Sequence, residues 1–281
     1  MWWSNYDPRV TATRAPDDVR VDLMAIGVPV VVNATGSGAR HAAAEIARAW
    51  ARCVIPPNDA PLARIEVVLD DDPAVLAAGS ARGAVVSQTL PQLLHDFSPH
   101  ITTHAIARQA TSQLLMLHAG GLADESGRVV ALVAASGVGK TTAVSRLART
   151  FGYVTDETVA VQPDLSVVAY PKPLSVLDRD DGLKSQHAPD EAGLTPTPAT
   201  CRLGALVCLD RRPDGPLEPE VEEMDVFEAL AALAPQTSYL AARPGPLRQL
   251  AALVDATGGM VRLHYREADR LVPALRQVLA R

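Results

Sequence analysis

The stretch ALVAASGVGKTT, residues 131–142, constrains the fold of this chain more than any other. An apolar run stops at a short loop of small residues that ends in Gly139, Lys140 and Thr141. Gly137 and Gly139 have no Cβ, so the loop backbone can curl and point its N–H groups inward. A helix predicted to begin near Lys140 adds the partial positive charge of its N-terminus at the same point. The pattern predicts a strand, a phosphate-binding loop and a helix, which is the P-loop arrangement.

The predicted loop assigns nucleotide contacts to particular residues. Lys140 can reach the β- and γ-phosphates, and the hydroxyl of Thr141 can ligate Mg²⁺. Ala134 replaces the first glycine of the usual GxxxxGK(S/T) pattern, a change that the looser form of the motif tolerates. We therefore expect ATP and Mg²⁺ as cofactors, with phosphate contacts from Ser136, Gly137, Val138, Gly139, Lys140, Thr141 and Thr142.

Composition argues against several classes of protein. The formal net charge is -6 and no long basic run is present, which disfavours a nucleic-acid partner. No apolar stretch approaches the ~18 residues of a membrane span, and residues 1–10 do not resemble a signal peptide. Cys53, Cys201 and Cys208 form no CxxC pair and leave an odd thiol, which fits a reducing compartment. We expect a cytoplasmic protein without membrane contact.

The chain divides by pattern into two parts. Residues 1–110 predict a small α+β N-terminal domain, with two strands over 19–36 broken at Gly27 and a helix from about Pro99 to Ala110. This part shows no chemistry of its own, and substrate recognition is the role we suggest for it.

The second part, residues 111–281, alternates strands and helices, which predicts the α/β class with a mixed sheet. A polar, proline-dotted segment over 178–200 interrupts the pattern and has no helical or strand period. We interpret that segment as a loop or a lid.

A P-loop that performs chemistry also needs carboxylates, and two apolar runs end in acids. GYVTDE supplies Asp156 and Glu157 soon after the P-loop helix, whereas GALVCLD ends at Asp210. A distant acid such as Asp210 is typical of transport and motor ATPases, but their LSGGQ-type signature is absent, as is the NKxD motif of GTPases. We favour Asp156 and Glu157, with a solvated turn as the alternative.

These features together resemble a known family. LHAGGLADESGRVVALVAASGVGKTT, GYVTDETVAV and AYPKPLSV are similar to the HPr kinase/phosphorylase superfamily, and especially to its HPr-kinase-related branch. That branch includes kinases encoded beside ribosomal peptide clusters, among them kinases that phosphorylate lasso peptides. The resemblance covers roughly residues 112–281 and implies a P-loop kinase domain with a mixed sheet of the HPr kinase type.

The resemblance also implies roles for individual residues. Lys140 and Thr141 match the positions that bind ATP phosphates and Mg²⁺. Asp156 matches the catalytic acid/base that takes the proton of an acceptor hydroxyl, and Glu157 matches a second carboxylate near the metal. His118 matches a histidine that lies close to the phosphates.

The sequence lacks one signature of the family, and this changes the expected phosphoryl acceptor. The glycine-and-arginine signature of true HPr kinases is missing beyond the acidic pair, so a Ser or Thr hydroxyl of a peptide is a better acceptor than HPr itself. Lys172, between Pro171 and Pro173, is either part of a stiff turn or a contact to phosphate or substrate. Related bacterial kinases assemble into oligomers, so a homo-oligomer is compatible with the resemblance.

Two alternative functions stay open: a nucleotide-sensing module without an acceptor, and a plain ATPase that uses Asp210.

Overall fold

A computed structural model describes residues 19–134, 139–177 and 180–281. In the first part of the chain, strands and helices form in the order β1 (Val19–Ala25), β2 (Val28–Thr35), α1 (Ala39–Ala49), β3 (Ala63–Leu69), α2 (Pro73–Ala81), β4 (Val85–Ser87) and α3 (Leu90–Arg108). The four strands make one sheet in the order β1-β2-β3-β4. β1 and β2 pair antiparallel, as the predicted break at Gly27 requires, while β3 runs parallel to β2 and to β4.

Helix α3 differs from the sequence-based expectation. The prediction that it begins near Pro99 is wrong, because the helix begins at Leu90 and carries Pro99 in its interior. Phe97 and Ile101 are fully buried on its inner face, and Phe97 packs edge-on against Trp50 with the ring centroids 5.0 Å apart. This packing holds the helix together across a residue that cannot donate a backbone hydrogen bond.

The second part of the chain builds a larger mixed sheet. Its elements are β5 (Leu115–Leu117), β6 (Gly120–Ala123), β7 (Arg128–Val133), α4 (Lys140–Leu147), β8 (Gly152–Thr155), β9 (Val159–Val161), β10 (Val167–Val168), β11 (Leu174–Val176), β12 (Ser185–His187), β13 (Arg202–Arg211), β14 (Glu220–Met224), α5 (Val226–Leu233), α6 (Pro246–Ala256), β15 (Met260–Tyr265) and α7 (Leu271–Leu279). Six strands pair in the order β14-β15-β13-β7-β6-β8. β13 lies parallel to β7 and to β15, while the other pairings are antiparallel.

The six-stranded sheet is covered on both faces. Along β7, Val130 and Leu132 pack in a core with α4 and α7, whereas Val129, Ala131 and Val133 pack in a core with α5 and α6. A strand that is buried on both sides reads as a continuous apolar run, which is what the sequence shows before the P-loop. The predicted strand at β7, the predicted helix at α4 and the mixed α/β class are confirmed.

Two smaller sheets complete the described structure, a three-stranded one in the order β10-β9-β5 and a two-stranded one of β11 and β12. The β11–β12 pair corrects the prediction for 178–200, because Ser185–His187 forms a strand in register with Leu174–Val176. Asp178 and Arg179 lie outside the described residues. No helix in the described ranges is long and apolar enough to cross a membrane.

The division into residues 1–110 and 111–281 stays a prediction. The core beneath the first sheet is built mainly from β1–β4, α1 and α3, and it also takes in Met116, Ala160 and Tyr170 from the second part. The two parts therefore share buried apolar contacts.

Candidate active site

Helix α4 begins where the P-loop should end. Gly139 has a backbone φ of +90°, a left-handed conformation that glycine adopts without a steric penalty. The first intrahelical bond runs from the N–H of Ala143 to the carbonyl of Gly139, so the N–H groups of Lys140, Thr141 and Thr142 lie in the unsatisfied first turn. This is the geometry that attracts an anion. Ser136, Gly137 and Val138, predicted to contact phosphates, lie outside the described residues.

A close approach fixes α4 against the sheet. A Cβ on Gly120 of β6 would lie 2.3 Å from Cγ2 of Val144, far inside van der Waals contact. Only glycine at this position lets α4 pack so tightly. The packing places the first turn of α4 beside His118, two residues before Gly120 in the chain.

A cleft of about 510 Å³ brings the predicted site residues together. Its lining includes all six of the predicted catalytic, metal and substrate-contact residues: His118, Lys140, Thr141, Asp156, Glu157 and Lys172. Gly139 and Thr142 line the same cleft. The residues come from the end of β5, the start of α4, the turn after β8 and the segment before β11. They are distant in sequence, so the tertiary structure brings them together in the cleft.

Lys172 joins the two carboxylates at the centre of the cleft. Its Nζ lies 3.1 Å from Oε2 of Glu157 and 3.4 Å from Oδ1 of Asp156. The Lys172 side chain is 2% exposed and that of Asp156 is 4% exposed, whereas that of Glu157 is 28% exposed. A buried ammonium needs such partners, because an unpaired buried charge is strongly destabilising. The cluster retains one net negative charge when all three groups are ionised.

The ion pairs shift the pKa values of their members. Burial alone would lower the pKa of Lys172, but Asp156 and Glu157 outweigh it and raise that pKa above its ordinary value. Burial likewise opposes ionisation of Glu157, yet the charge of Lys172, with hydrogen bonds from Lys172 and Thr102, lowers the pKa of this carboxyl. Both residues therefore stay charged at neutral pH.

Tyr153 of β8 contacts the cluster of Lys172, Asp156 and Glu157. Its hydroxyl donates to the backbone carbonyl of Lys172 at 3.0 Å and lies 3.4 Å from Oδ1 of Asp156. Burial raises the pKa of the Tyr153 phenol well above its ordinary value, so the hydroxyl stays protonated and keeps its role as a donor. Oδ1 of Asp156 accepts from Nζ of Lys172, while its Oδ2 meets no hydrogen-bond donor among the described side chains.

His118 and Lys140 form a second contact in the cleft. Nζ of Lys140 lies 3.1 Å from Nε2 of His118. An ammonium group can only donate, so Nε2 accepts and the imidazole is neutral, with its proton on Nδ1. Burial, followed by the mutual repulsion of the two groups, lowers the pKa of His118, and burial lowers that of Lys140. His118 thereby gives Lys140 a partner beside the helix N-terminus.

Helix α3 supplies a wall of the cleft that sequence reasoning missed. Oγ1 of Thr102 donates to Oε2 of Glu157 at 3.2 Å. One turn earlier, Oγ of Ser98 lies 3.3 Å from Oγ of Ser175, which donates to Oε1 of Gln186 at 2.9 Å. The first 110 residues were expected to lack chemistry. The only sequence signal was the spacing of Ser98 and Thr102, four residues apart on a helix face that is otherwise apolar.

Asp210, the alternative acid, lies elsewhere. It comes near the end of β13, where its Oδ2 is 2.7 Å from Nη2 of Arg212 and 2.8 Å from Nδ1 of His264. Burial would raise the pKa of Asp210, but these two neighbours lower it. Asp210 is not among the described residues that line the cleft. The structure therefore brings Asp156 and Glu157, and not Asp210, to Lys140.

The donors in the cleft suit Mg²⁺ held jointly with phosphate. The described residues contain no group of three His, Cys, Asp or Glu side chains that could hold a metal by themselves. Mg²⁺ does not need one, since it is usually bound through one or two carboxylates together with the phosphates of a substrate. Glu157 and Thr141 both line the cleft and are the residues that would hold the ion.

Comparison with known proteins gives matches among solved structures. No family model and no curated protein matches the sequence. Among solved structures, the chain is similar to the HPr(Ser) kinase/phosphatase from Coxiella burnetii, and the match covers 39% of this chain and 77% of that one. The two share 16% sequence identity, with a TM-score of 0.27. A TM-score this low does not establish a common fold, so the function proposed below rests on the residues of the cleft.

Proposed function

We propose that this chain is a phosphotransferase that uses ATP and Mg²⁺ to move the γ-phosphoryl group to a hydroxyl. One observation carries the proposal. A single cleft of about 510 Å³ contains the N-terminus of α4 with Lys140 and, facing it, the acidic pair Asp156–Glu157 on a buried lysine. A nucleotide-binding module without chemistry has no need for a carboxylate pair that is held beside its phosphate site.

The phosphate side of the cleft supplies binding. The unpaired N–H groups at the start of α4 and the ammonium of Lys140 attract the triphosphate. Lys140 can exchange its contact with Nε2 of His118 for a phosphate oxygen, because both partners lie in the same cleft. Mg²⁺ would neutralise part of the phosphate charge, with Glu157 and Thr141 holding it. In this arrangement His118 orients Lys140.

The acidic side supplies proton transfer. The acceptor oxygen forms a bond to the γ-phosphorus while the bond from that phosphorus to the β–γ bridging oxygen breaks, and ADP leaves with the electron pair. Asp156 takes the proton of the acceptor hydroxyl through Oδ2, because Oδ1 is held by Lys172. Lys172 is a positioning residue that fixes both carboxylates relative to Lys140.

The acceptor is proposed to be a Ser or Thr side chain of a peptide, in the tailoring of a ribosomal peptide of the lasso type. The support is the resemblance of residues 112–281 to kinases encoded beside such clusters, together with the missing HPr kinase signature. The wall of the cleft formed by α3, β11 and β12 presents hydroxyl and amide groups from Ser98, Ser175 and Gln186, which can hydrogen-bond to a peptide. A cytoplasmic location and assembly into a homo-oligomer belong to the same proposal.

The Asp156→Asn variant tests the proposal. We expect transfer to a peptide hydroxyl to fall about 10²–10⁴-fold, the usual contribution of a general base, while ATP affinity stays near that of the unchanged protein. Asp210→Asn is the matched control and should leave transfer unchanged, because Asp210 does not line the cleft. Normal transfer by Asp156→Asn would overturn the proposal. ATP hydrolysis that requires Asp210 and no acceptor would support the plain ATPase instead.

A further inference from the structure

A second cavity of about 550 Å³ lies at the other end of the six-stranded sheet. Its lining comes from the starts of β7 and β13, the turn before β15 and the end of α7. The six residues of β7 run from Arg128 at this cavity to Val133, a length of about 20 Å, and Ala134 just beyond Val133 lines the other cleft. The cavity is therefore distinct from the cleft that holds Lys140 and Asp156.

The ionisable side chains that line this cavity all carry the same charge. They are Arg128, Arg202 and Arg281, and no Asp or Glu side chain lines the cavity among the described residues. The chain as a whole has a formal net charge of -6. Three arginines around one concave site, two of them exposed, give it a positive potential that attracts an anion.

Two of the arginines face each other in the sheet. Arg128 of β7 and Arg202 of β13 are direct partners in the register of these parallel strands. Like charges in directly opposite positions are destabilising, so this pair costs stability unless something neutralises it. The strands make room for the pair, because β13 has a bulge at Gly204, where an added Cβ would lie 3.2 Å from Nε of Arg128. A bulge of this kind re-aims neighbouring side chains.

The existing partners leave one of the three arginines without a carboxylate. Arg202 donates to the backbone carbonyl of Asp164 and interacts with the carboxylate of the same residue, and Arg281 pairs with the exposed side chain of Glu223. Arg128 as a residue is half-buried, and its guanidinium has no hydrogen-bond partner among the described residues. A guanidinium with five free N–H donors is well suited to a planar or tetrahedral oxyanion.

We propose that this cavity binds the phosphoryl group of a small organic phosphate, held by Arg128, Arg202 and Arg281. Guanidinium groups match phosphate oxygens in a bidentate geometry, which favours phosphate over a monovalent halide. The remaining walls include Leu165, Leu206, Val261 and Val278, so an organic body can pack beside the charged group. The proposal does not depend on the chemistry of the cleft.

Calorimetry on the full chain tests this site with the P-loop weakened by Lys140→Ala. The probes are inorganic phosphate and glycerol 3-phosphate, titrated at constant ionic strength. We expect one equivalent of glycerol 3-phosphate to bind, and to bind at least ten-fold more weakly after Arg128→Gln or Arg202→Gln is added. Arg149→Gln is the matched control, an exposed arginine outside the cavity, and should change nothing. Tighter binding of inorganic phosphate than of glycerol 3-phosphate would identify the free ion as the ligand.

Melting temperature in phosphate-free buffer separates binding from folding. Arg128→Gln should not lower it, because the change relieves the opposition of two like charges. Two results would overturn the proposal. One is the absence of binding heat in the Lys140→Ala protein. The other is a folded Arg202→Gln protein that binds glycerol 3-phosphate as tightly as its Lys140→Ala parent.

Discussion

Replacing Lys172 with methionine removes the charge that holds the acidic pair and keeps most of the side-chain volume. The Lys172 ammonium lies 3.1 Å from Glu157 and 3.4 Å from Asp156, and its side chain is 2% exposed. Breaking a buried ion pair costs about 3–5 kcal/mol, because one charge stays buried without a partner. Glu157 is partly open to solvent, so we expect a loss near the lower limit, about 3 kcal/mol, or a melting temperature about 6–12 °C lower.

The pH dependence gives the same prediction a second readout. The pKa of Glu157 is lower in the folded protein than its ordinary value, so its ion pair contributes stability above the unfolded pKa of about 4.3 and loses it as the pH falls through the folded pKa. Lys172→Met removes that contribution. The difference in unfolding free energy between the two proteins should therefore be full at pH 7 and shrink below about pH 4.

Urea unfolding at pH 7 and at about pH 3, below the unfolded pKa of Glu157, measures both effects. Lys184→Met is the matched control, since this exposed lysine should change stability by no more than about 0.5 kcal/mol. Adding Glu157→Gln to Lys172→Met should recover part of the loss, because the uncompensated carboxylate is the main cost. The reasoning is refuted if Lys172→Met costs less than about 1 kcal/mol at pH 7, or if its cost is the same at both pH values.

Three further experiments probe the packing around the cleft. Gly120→Ala should destabilise the protein by about 1–3 kcal/mol through its clash with Val144. Adding Val144→Ala should restore part of that stability in a thermal melt. If the effects of the two substitutions on stability simply add, the close approach is contradicted. Thr102→Val should cost about 1 kcal/mol and raise the pKa of Glu157, measured by NMR titration, because it removes a donor to that carboxylate. Burial raises the pKa of the Cys53 thiol to about 12. Iodoacetamide at pH 8 should therefore leave Cys53 unmodified in the folded protein and alkylate it in urea. Rapid alkylation of Cys53 in the folded protein would contradict its burial.

Local patterns in the sequence were sufficient to predict β7 and α4 and to single out the acidic pair. The apolar run, the glycines and the residues GKTT predict β7 and α4, because each signal lies within a few residues of the element it specifies. Asp156 and Glu157 were found in the same way, as acids at the end of a short strand. The structure places these residues in one cleft with His118 and Lys172.

The contacts that hold the cleft together could not be predicted in this way. Thr102 reaches Glu157 across 55 residues of sequence, and neither residue type signals the other. The pairing of β11 with β12 was missed because two three-residue strands are too short to show a period. Helix α3 was placed too late in the chain because Pro99 matches the usual first position of a helix, whereas tertiary packing keeps this proline in the interior.

Intact-mass spectrometry of candidate peptides tests most directly whether the protein transfers a phosphoryl group to a peptide hydroxyl. Peptides from the genomic neighbourhood of this chain would be incubated with the protein, ATP and Mg²⁺, in parallel with Lys140→Ala and Asp156→Asn. The unchanged protein should add one phosphoryl group to a Ser or Thr of a peptide, and neither variant should add any. A phosphoryl gain that persists in Asp156→Asn, or ATP binding without transfer to any peptide or free hydroxy-amino acid, would contradict this prediction.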